Sequence, residues 1–276
     1  MPKVLFRFVK QVASLAQKHS AAGLLKISNP TGNGFAGWKH VVLHYLRIQR
    51  ETSYRDVVDL ASEMDRVRRL LGLSLHGFPA PSTLYRSFNR TPMHVWRALL
   101  DRSSELLDRS GHAAIDSTFF NRWRASPHYL RRIDRKVDTL KITFLIDTED
   151  QAILDVHCSA KWPNDAKVGP QLAARNLDQL ESLAADKGYD SAAFRRQLRE
   201  NGVRPLIKHR LYRPIDRAHN ARLDEDRYNQ RSLAESVNST VKRSILDSVS
   251  SRTWYRQFRE IVLAASVHNV KRAIRQ

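Results

Sequence analysis

The chain has 276 residues, enough to bury a full core in one large domain and a smaller one. Lysine and arginine number 47 against 28 aspartates and glutamates, and this net charge of +19 calls for a polyanionic partner, nucleic acid above all, without naming a reaction. One cysteine excludes a disulfide framework, no apolar run reaches the ~18 residues of a membrane span, and the first residues lack the apolar stretch of a secretory signal, so a soluble protein of a reducing compartment is expected.

Residues 1–110 read as helical. Apolar residues recur at helical spacing from Val4 to Lys18, followed by a loop rich in Gly and Asn from Ser28 to Gly37. Further amphipathic helices are predicted over Trp38–Arg50, from Thr52 through Met64 with hydroxyl residues suited to cap it, and over Arg66–Leu75. Gly77-Phe78-Pro79-Ala80-Pro81 breaks the pattern, and Ser82–Arg90 resumes it as a short helix exposing polar and basic positions. Helix, break, short basic helix is how a helix-turn-helix offers side chains to the DNA major groove, though a packing helix in a basic protein carries the same pattern. Met93–Arg109 is a last helix, ending at Ser110-Gly111.

From residue 111 the period changes. His112–Thr118 is an apolar run that ends in a carboxylate, Asp116; Val137–Asp147 and Gln151–Ala160 alternate as strands around a hairpin turn at 147–150. A helix over Val168–Leu177, a strand over Leu180–Ala185, a helix over Ser191–Glu200 and a short strand over Arg204–Lys208 follow, then a polar, arginine-rich loop from His209 to Arg227. This succession predicts a mixed α/β layer around a central sheet.

The stretch from Tyr228 to Lys242 draws the rest together. As one helix it sets Tyr228, Arg231, Glu235 and Lys242 within about 60° of each other, with Leu233, Ala234, Val237, Val241 and Ile245 opposite. Upstream, Asp116 and Asp186 each stand where a strand is expected to end, and sites in open α/β sheets gather at carboxyl ends of strands. If those strands are neighbours, the two aspartates can hold a pair of divalent cations with Glu235 closing the site. All-oxygen donors suit Mg²⁺ or Mn²⁺, and two such ions can activate a nucleophile and stabilise a leaving oxygen at phosphorus.

In that order, Asp116, Asp186 and Glu235 resemble the acidic triad of the DDE transposases of prokaryotic insertion sequences. Asp186-Lys187-Gly188-Tyr189 matches the family's Asp-x-Gly-Tyr, and Tyr228, Arg231, Glu235 and Lys242 complete the Tyr-x2-Arg-x3-Glu-x6-Lys signature of one large branch. The resemblance implies a ribonuclease-H-like catalytic domain over 111–276, with a mixed central sheet flanked by helices, behind an all-helical DNA-binding region over 1–110. It implies that Asp116, Asp186 and Glu235 are catalytic and bind Mg²⁺ or Mn²⁺, two ions per site. Tyr228, Arg231 and Lys242 would contact DNA at the transposon end, and Ser117 and Thr118 would act through their neighbours. Double-stranded DNA, as terminal inverted repeats and as target, is the implied partner, with a homodimer on DNA and a location at the nucleoid of a prokaryotic cytoplasm. Glu235 follows Asp186 by only 49 positions, which leaves no room for the β-rich insertion of some relatives.

Other residues carry weaker signals. Asp155, His157 and Cys158 lie close in sequence but lack a second ligand pair, so a structural role is expected. Asp147, Glu149 and Asp150 read as a solvated turn, Asp190 as the N-cap of the next helix, and Trp123, Trp162 and Trp254 as core residues that could alternatively stack on bases. Two rival functions share these features: a silent transposase-derived DNA-binding protein or repressor, and a ribonuclease-H-like nuclease of repair or RNA processing.

Overall fold

A computed structural model describes residues 4–21, 36–122, 132 and 139–276. Most of the glycine-rich loop, the first residues of the second strand and Trp123 lie outside them. The chain divides into two compact units, Met1–Leu106 with Arg259–Gln276, and Leu107–Phe258. Residues 259–276, expected with the second half, therefore cluster with the first.

In the first unit the described residues form α1 (Val4–Ala21), α2 (Gly37–Arg50), α3 (Tyr54–Glu63), α4 (Asp65–Leu71), α5 (Pro81–Arg90) and α6 (Met93–Ser104). Local chemistry sets the boundaries. Ser53 and Asp56 make a reciprocal capping box at the start of α3, and Gly72 takes a left-handed φ of 60° that stops α4 four residues before the predicted end. Pro81 opens α5. The last helix, α12 (Trp254–Ala273), had no counterpart in the predicted elements; its stretch from Glu260 to Val270 is fully buried. Within the first unit, Arg47 pairs with Glu260 at 3.2 Å, and Asn269 Nδ2 donates to Ser103 Oγ at 3.1 Å. Tyr45 hydrogen-bonds Ser266.

The second unit is a five-stranded sheet of β1 (His112–Asn121), β2 (Thr139–Asp147), β3 (Ile153–Ser159), β4 (Ser182–Ala185) and β5 (Arg204–Ile207), in the order β3-β2-β1-β4-β5. The first three strands are antiparallel; β4 and β5 run parallel to β1. Pro205, which cannot donate to a ladder, falls on the edge strand β5. Helices α7 (Asp165–Ala174), α8 (Ala192–Glu200), α9 (Pro214–Ala221), α10 (Glu225–Asn229) and α11 (Ser232–Ser244) complete the unit. Asn164 caps α7, which begins at Asp165, three residues ahead of the predicted start, leaving Pro170 inside the helix, not at its opening. The expected loop 209–227 contains α9, which starts at Pro214 and whose first turn is held by Asp216 accepting the amides of Tyr212 and Arg213. Among the described residues no helix is long and apolar enough to cross a membrane.

Candidate active site

Alternation along β1 sends successive side chains to opposite faces of the sheet. Asp116 and Phe120 face α11, where Asn238 Nδ2 donates to Asp116 Oδ2 at 2.7 Å and Lys242 Nζ stands 5.5 Å from the Phe120 ring centre. Asp116 is not at the end of β1, as expected, because pairing with β2 continues to Asn121; it lies where the β4 ladder ends. The register pairs Ile115 with Ala185, so one more step brings Asp186 beside Asp116 on a strand ~4.8 Å away. There the chain turns: Asp186 Oδ1 accepts the Gly188 amide at 2.7 Å, and the turn Lys187–Tyr189 follows.

Glu235 comes from the first turn of α11, side chain 57% exposed, with Arg231 Nη1 2.8 Å from its Oε1. Burial pushes the Asp116 carboxyl from 3.8 up to about 6. The charges of Glu235 and Asp186 push the same way, while the Ser117 amide and Asn238 pull back. The three acids therefore share one electrostatic environment. Even so, among the described residues no three His, Cys, Asp or Glu side chains converge closely enough to hold a metal ion. Glu235 is instead turned onto Arg231, and Asp186 onto its own turn. The donor set itself, three carboxylates around a half-buried excess of negative charge, fits a hard divalent cation.

On the opposite face, Ser117 Oγ meets Thr143 Oγ1 at 2.8 Å, Asp165 Oδ1 at 2.6 Å and the Tyr189 hydroxyl at 2.9 Å, while Lys141 Nζ pairs with Asp165 at 3.0 Å. Tyr189 is fully buried, and burial together with the nearby acids, Asp165 first, holds its phenol well above the ordinary range. This explains the Asp-x-Gly-Tyr spacing physically. The aspartate caps the turn, a Cβ on Gly188 would sit 2.8 Å from Asp186 Oδ1, and the tyrosine bolts the turn to β1.

The signature residues are not all on one outward face. Between α10 and α11 the amides of Arg231, Leu233 and Ala234 bond three residues back, to Tyr228, Gln230 and Arg231. These tighter turns, ~120° per residue against ~100°, swing Tyr228 off the predicted arc. Tyr228 is consequently 7% exposed, its ring flanked by Lys208 at 4.4 Å and Arg231 at 5.7 Å. Burial disfavours the Arg231 charge, but its hydrogen bonds to Glu235 and Tyr228 outweigh that and raise its pKa. Lys242 is half-buried, and its pKa is lowered by that burial against the pull of Asp116. Of the predicted apolar side, Ala234, Val237, Val241 and Ile245 are buried, while Leu233 is only half-buried.

Several secondary expectations change. Asp190 is not the cap of α8; Ser191 is, while Asp190 pairs with Arg195 and accepts the Arg210 amide at 2.8 Å. Asp147 is buried, not solvated, and its carboxylate accepts from the amides of Ser110 and Glu149 and the Ser110 hydroxyl. Trp162 and Trp254 are exposed, not core. Asp155 does have a structural role, taking Arg175 Nε at 2.7 Å and Asn176 Nδ2 at 3.2 Å. Sequence reasoning missed Asn238, Asp165 and Lys141. For Asn238 a signal was present: three residues past Glu235 it shares that residue's helix face.

Residues 108–270 match the family model described as the transposase DDE domain. Among solved structures, the chain resembles a piggyBac transposase in a synaptic complex with hairpin DNA, at 11% identity and a TM-score of 0.48, over 98% of this chain and 78% of that one. No curated protein matches.

Proposed function

From the premise that the chain belongs to the transposase DDE-domain family, we propose that it is an insertion-sequence transposase that cuts DNA strands at the element ends and joins the freed 3′-hydroxyls to target DNA. The observation that carries this reading is the perturbation of Asp116: a strand carboxylate raised to about 6 by burial and by the charges of Glu235 and Asp186. A carboxylate perturbed by burial together with specific charged neighbours is a functional-site candidate on physical grounds. The strand order β3-β2-β1-β4-β5, with antiparallel and parallel halves meeting at β1, supports a ribonuclease-H-like assignment.

Domains of this family generally use divalent metal ions. Asp116, Asp186 and Glu235 would hold Mg²⁺ or Mn²⁺, two per site, and the ions when bound supply Lewis-acid activation of the attacking and leaving oxygens. The chain's own groups do the rest. Asn238 and the Ser117 amide orient Asp116, and the Tyr189–Ser117–Asp165 cluster fixes β1 beneath it. Arg231 sits at the N-terminal, positive end of α11, an unfavourable place for a cation, which favours a role outside folding. A DNA phosphate would compete with Glu235 for its guanidinium, and Lys242 would take a second phosphate. Tyr228 supports the set from below as a ring platform for Lys208 and Arg231. Water or a 3′-hydroxyl is the nucleophile, and no covalent protein–DNA intermediate forms. In the N-terminal unit, α5 presents Ser82, Tyr85, Arg86 and Arg90 outward with no acid among them, the face we assign to duplex DNA. The assembly on DNA is a homodimer.

The test is strand cleavage on a duplex carrying the gene's flanking sequence with Mg²⁺ or Mn²⁺, comparing wild type with Glu235→Gln, and a gel shift as control. Cutting at the element boundary by wild type alone is expected. Equal binding without wild-type cleavage in either metal refutes the reading.

A further inference from the structure

Asn238 stands where the helix and strand halves of the site meet. On α11 it follows Glu235 by three residues and precedes Lys242 by four, so one helix face carries all three toward β1. Its side chain is buried; Nδ2 donates to Asp116 Oδ2 at 2.7 Å, and Oδ1 is buried without a hydrogen-bond partner. Chemistry fixes the orientation, since an ionised carboxylate only accepts and the amide must present its NH₂. Leucine would fill the same space without a stranded carbonyl, which ordinarily destabilises a fold by ~1–3 kcal/mol.

We propose that Asn238 is a positioning residue for metal loading. The proposal rests on the transposase reading; the Asn238 amide ties down one Asp116 oxygen. That would leave the other oxygen for a cation held with Asp186 and Glu235, and it pins the helix bearing Glu235 to the strand bearing Asp116. Groups that orient metal ligands through hydrogen bonds typically change metal affinity or activity by ~10–100-fold when removed.

The experiment uses the full chain on the same duplex. Mn²⁺ binding is followed by the paramagnetic resonance signal of free Mn²⁺ for wild type, Asp116→Asn, Asn238→Leu and Asn238→Ser, alongside cleavage against Mn²⁺ concentration, gel shift and thermal melting. Both Asn238 variants are expected to need ~10-fold more Mn²⁺ for half-saturation. DNA affinity should hold within about twofold, and cleavage should largely recover at saturating Mn²⁺. A residue that merely docks α11 would lower the melting temperature and leave the Mn²⁺ midpoint in place. Midpoints within about twofold of wild type in both variants overturn the proposal, and should Asn238→Leu fail to fold, Asn238→Ser decides alone. If wild type binds no Mn²⁺ that Asp116→Asn abolishes, the transposase reading itself fails, a result separable from an unmoved Asn238 midpoint.

Discussion

Replacing Asp116 by asparagine should make the metal-free protein more stable while abolishing cleavage. The amide oxygen still accepts the Asn238 hydrogen bond, so only the charge is lost. A carboxyl moved from 3.8 to about 6 corresponds to ~3 kcal/mol, at ~1.4 kcal/mol per unit. Solvent reaching this half-buried group trims that to about 1–3 kcal/mol, or a rise of about 3–8 °C in melting temperature at pH 7.5. The sign follows from linkage: a raised folded-state pKa favours the protonated form. Wild type therefore has its full stability from this group below the unfolded value near 3.8 and loses it as pH rises through about 6. The gap to Asp116→Asn should be widest at pH 7.5 and shrink by about half at pH 5. Calorimetric melts across this range, repeated with millimolar Mg²⁺, test the argument: Mg²⁺ should lift the wild type and not the variant. A variant no more stable than wild type at pH 7.5, or a gap that ignores pH, refutes it.

Arg231→Gln removes one partner of a largely exposed helix pair, so stability should change by less than ~0.5 kcal/mol, while the salt slope of DNA binding falls by about one phosphate contact; an unchanged slope in a gel-shift titration excludes the phosphate role. Gly169→Ala places a Cβ 2.8 Å from Tyr189 and 3.0 Å from Phe194, and should lower the urea midpoint by the equivalent of ~1–3 kcal/mol. Arg47→Leu removes the guanidinium that pairs with Glu260, a carboxylate with no exposed side-chain surface, at a cost of ~3–5 kcal/mol; the double variant with Glu260→Leu should recover much of it, and additive losses in denaturant melts would contradict the pairing.

The place of Asp186 was legible because it follows an apolar run that stops at Ala185, whereas Asp116, expected at a strand end by the same reasoning, lies inside a strand that runs on to Asn121. Register was not legible: that β4 lies against β1 with Ala185 opposite Ile115 depends on long-range pairing. Helical-wheel arithmetic failed at Tyr228 because it assumes a constant turn angle, and neither proline nor glycine marks the tightening at Gln230 and Arg231. Asn238 and Asp165 were overlooked for a related reason. Each is known by a hydrogen bond to a residue 48 or 122 positions away, and the only local hint was the spacing of Asn238 from Glu235. Charge also gave no sign that Arg231 would pair with Glu235.

The first unit is assembled from both ends of the described chain. Its α1–α6 are synthesised ahead of residues 107–258, yet Glu260, Ser266 and Asn269, which answer Arg47, Tyr45 and Ser103, come only after them. At a synthesis rate of ~5–20 residues per second that interval lasts about 8–30 s. Through it the buried face of α2 has no α12 to meet, and a nascent product stalled before residue 259 would carry a finished sheet behind an unfinished helical unit. Closing the helical unit that we assign to holding DNA thus waits on the synthesis of α12, after the sheet that separates its two segments in the chain.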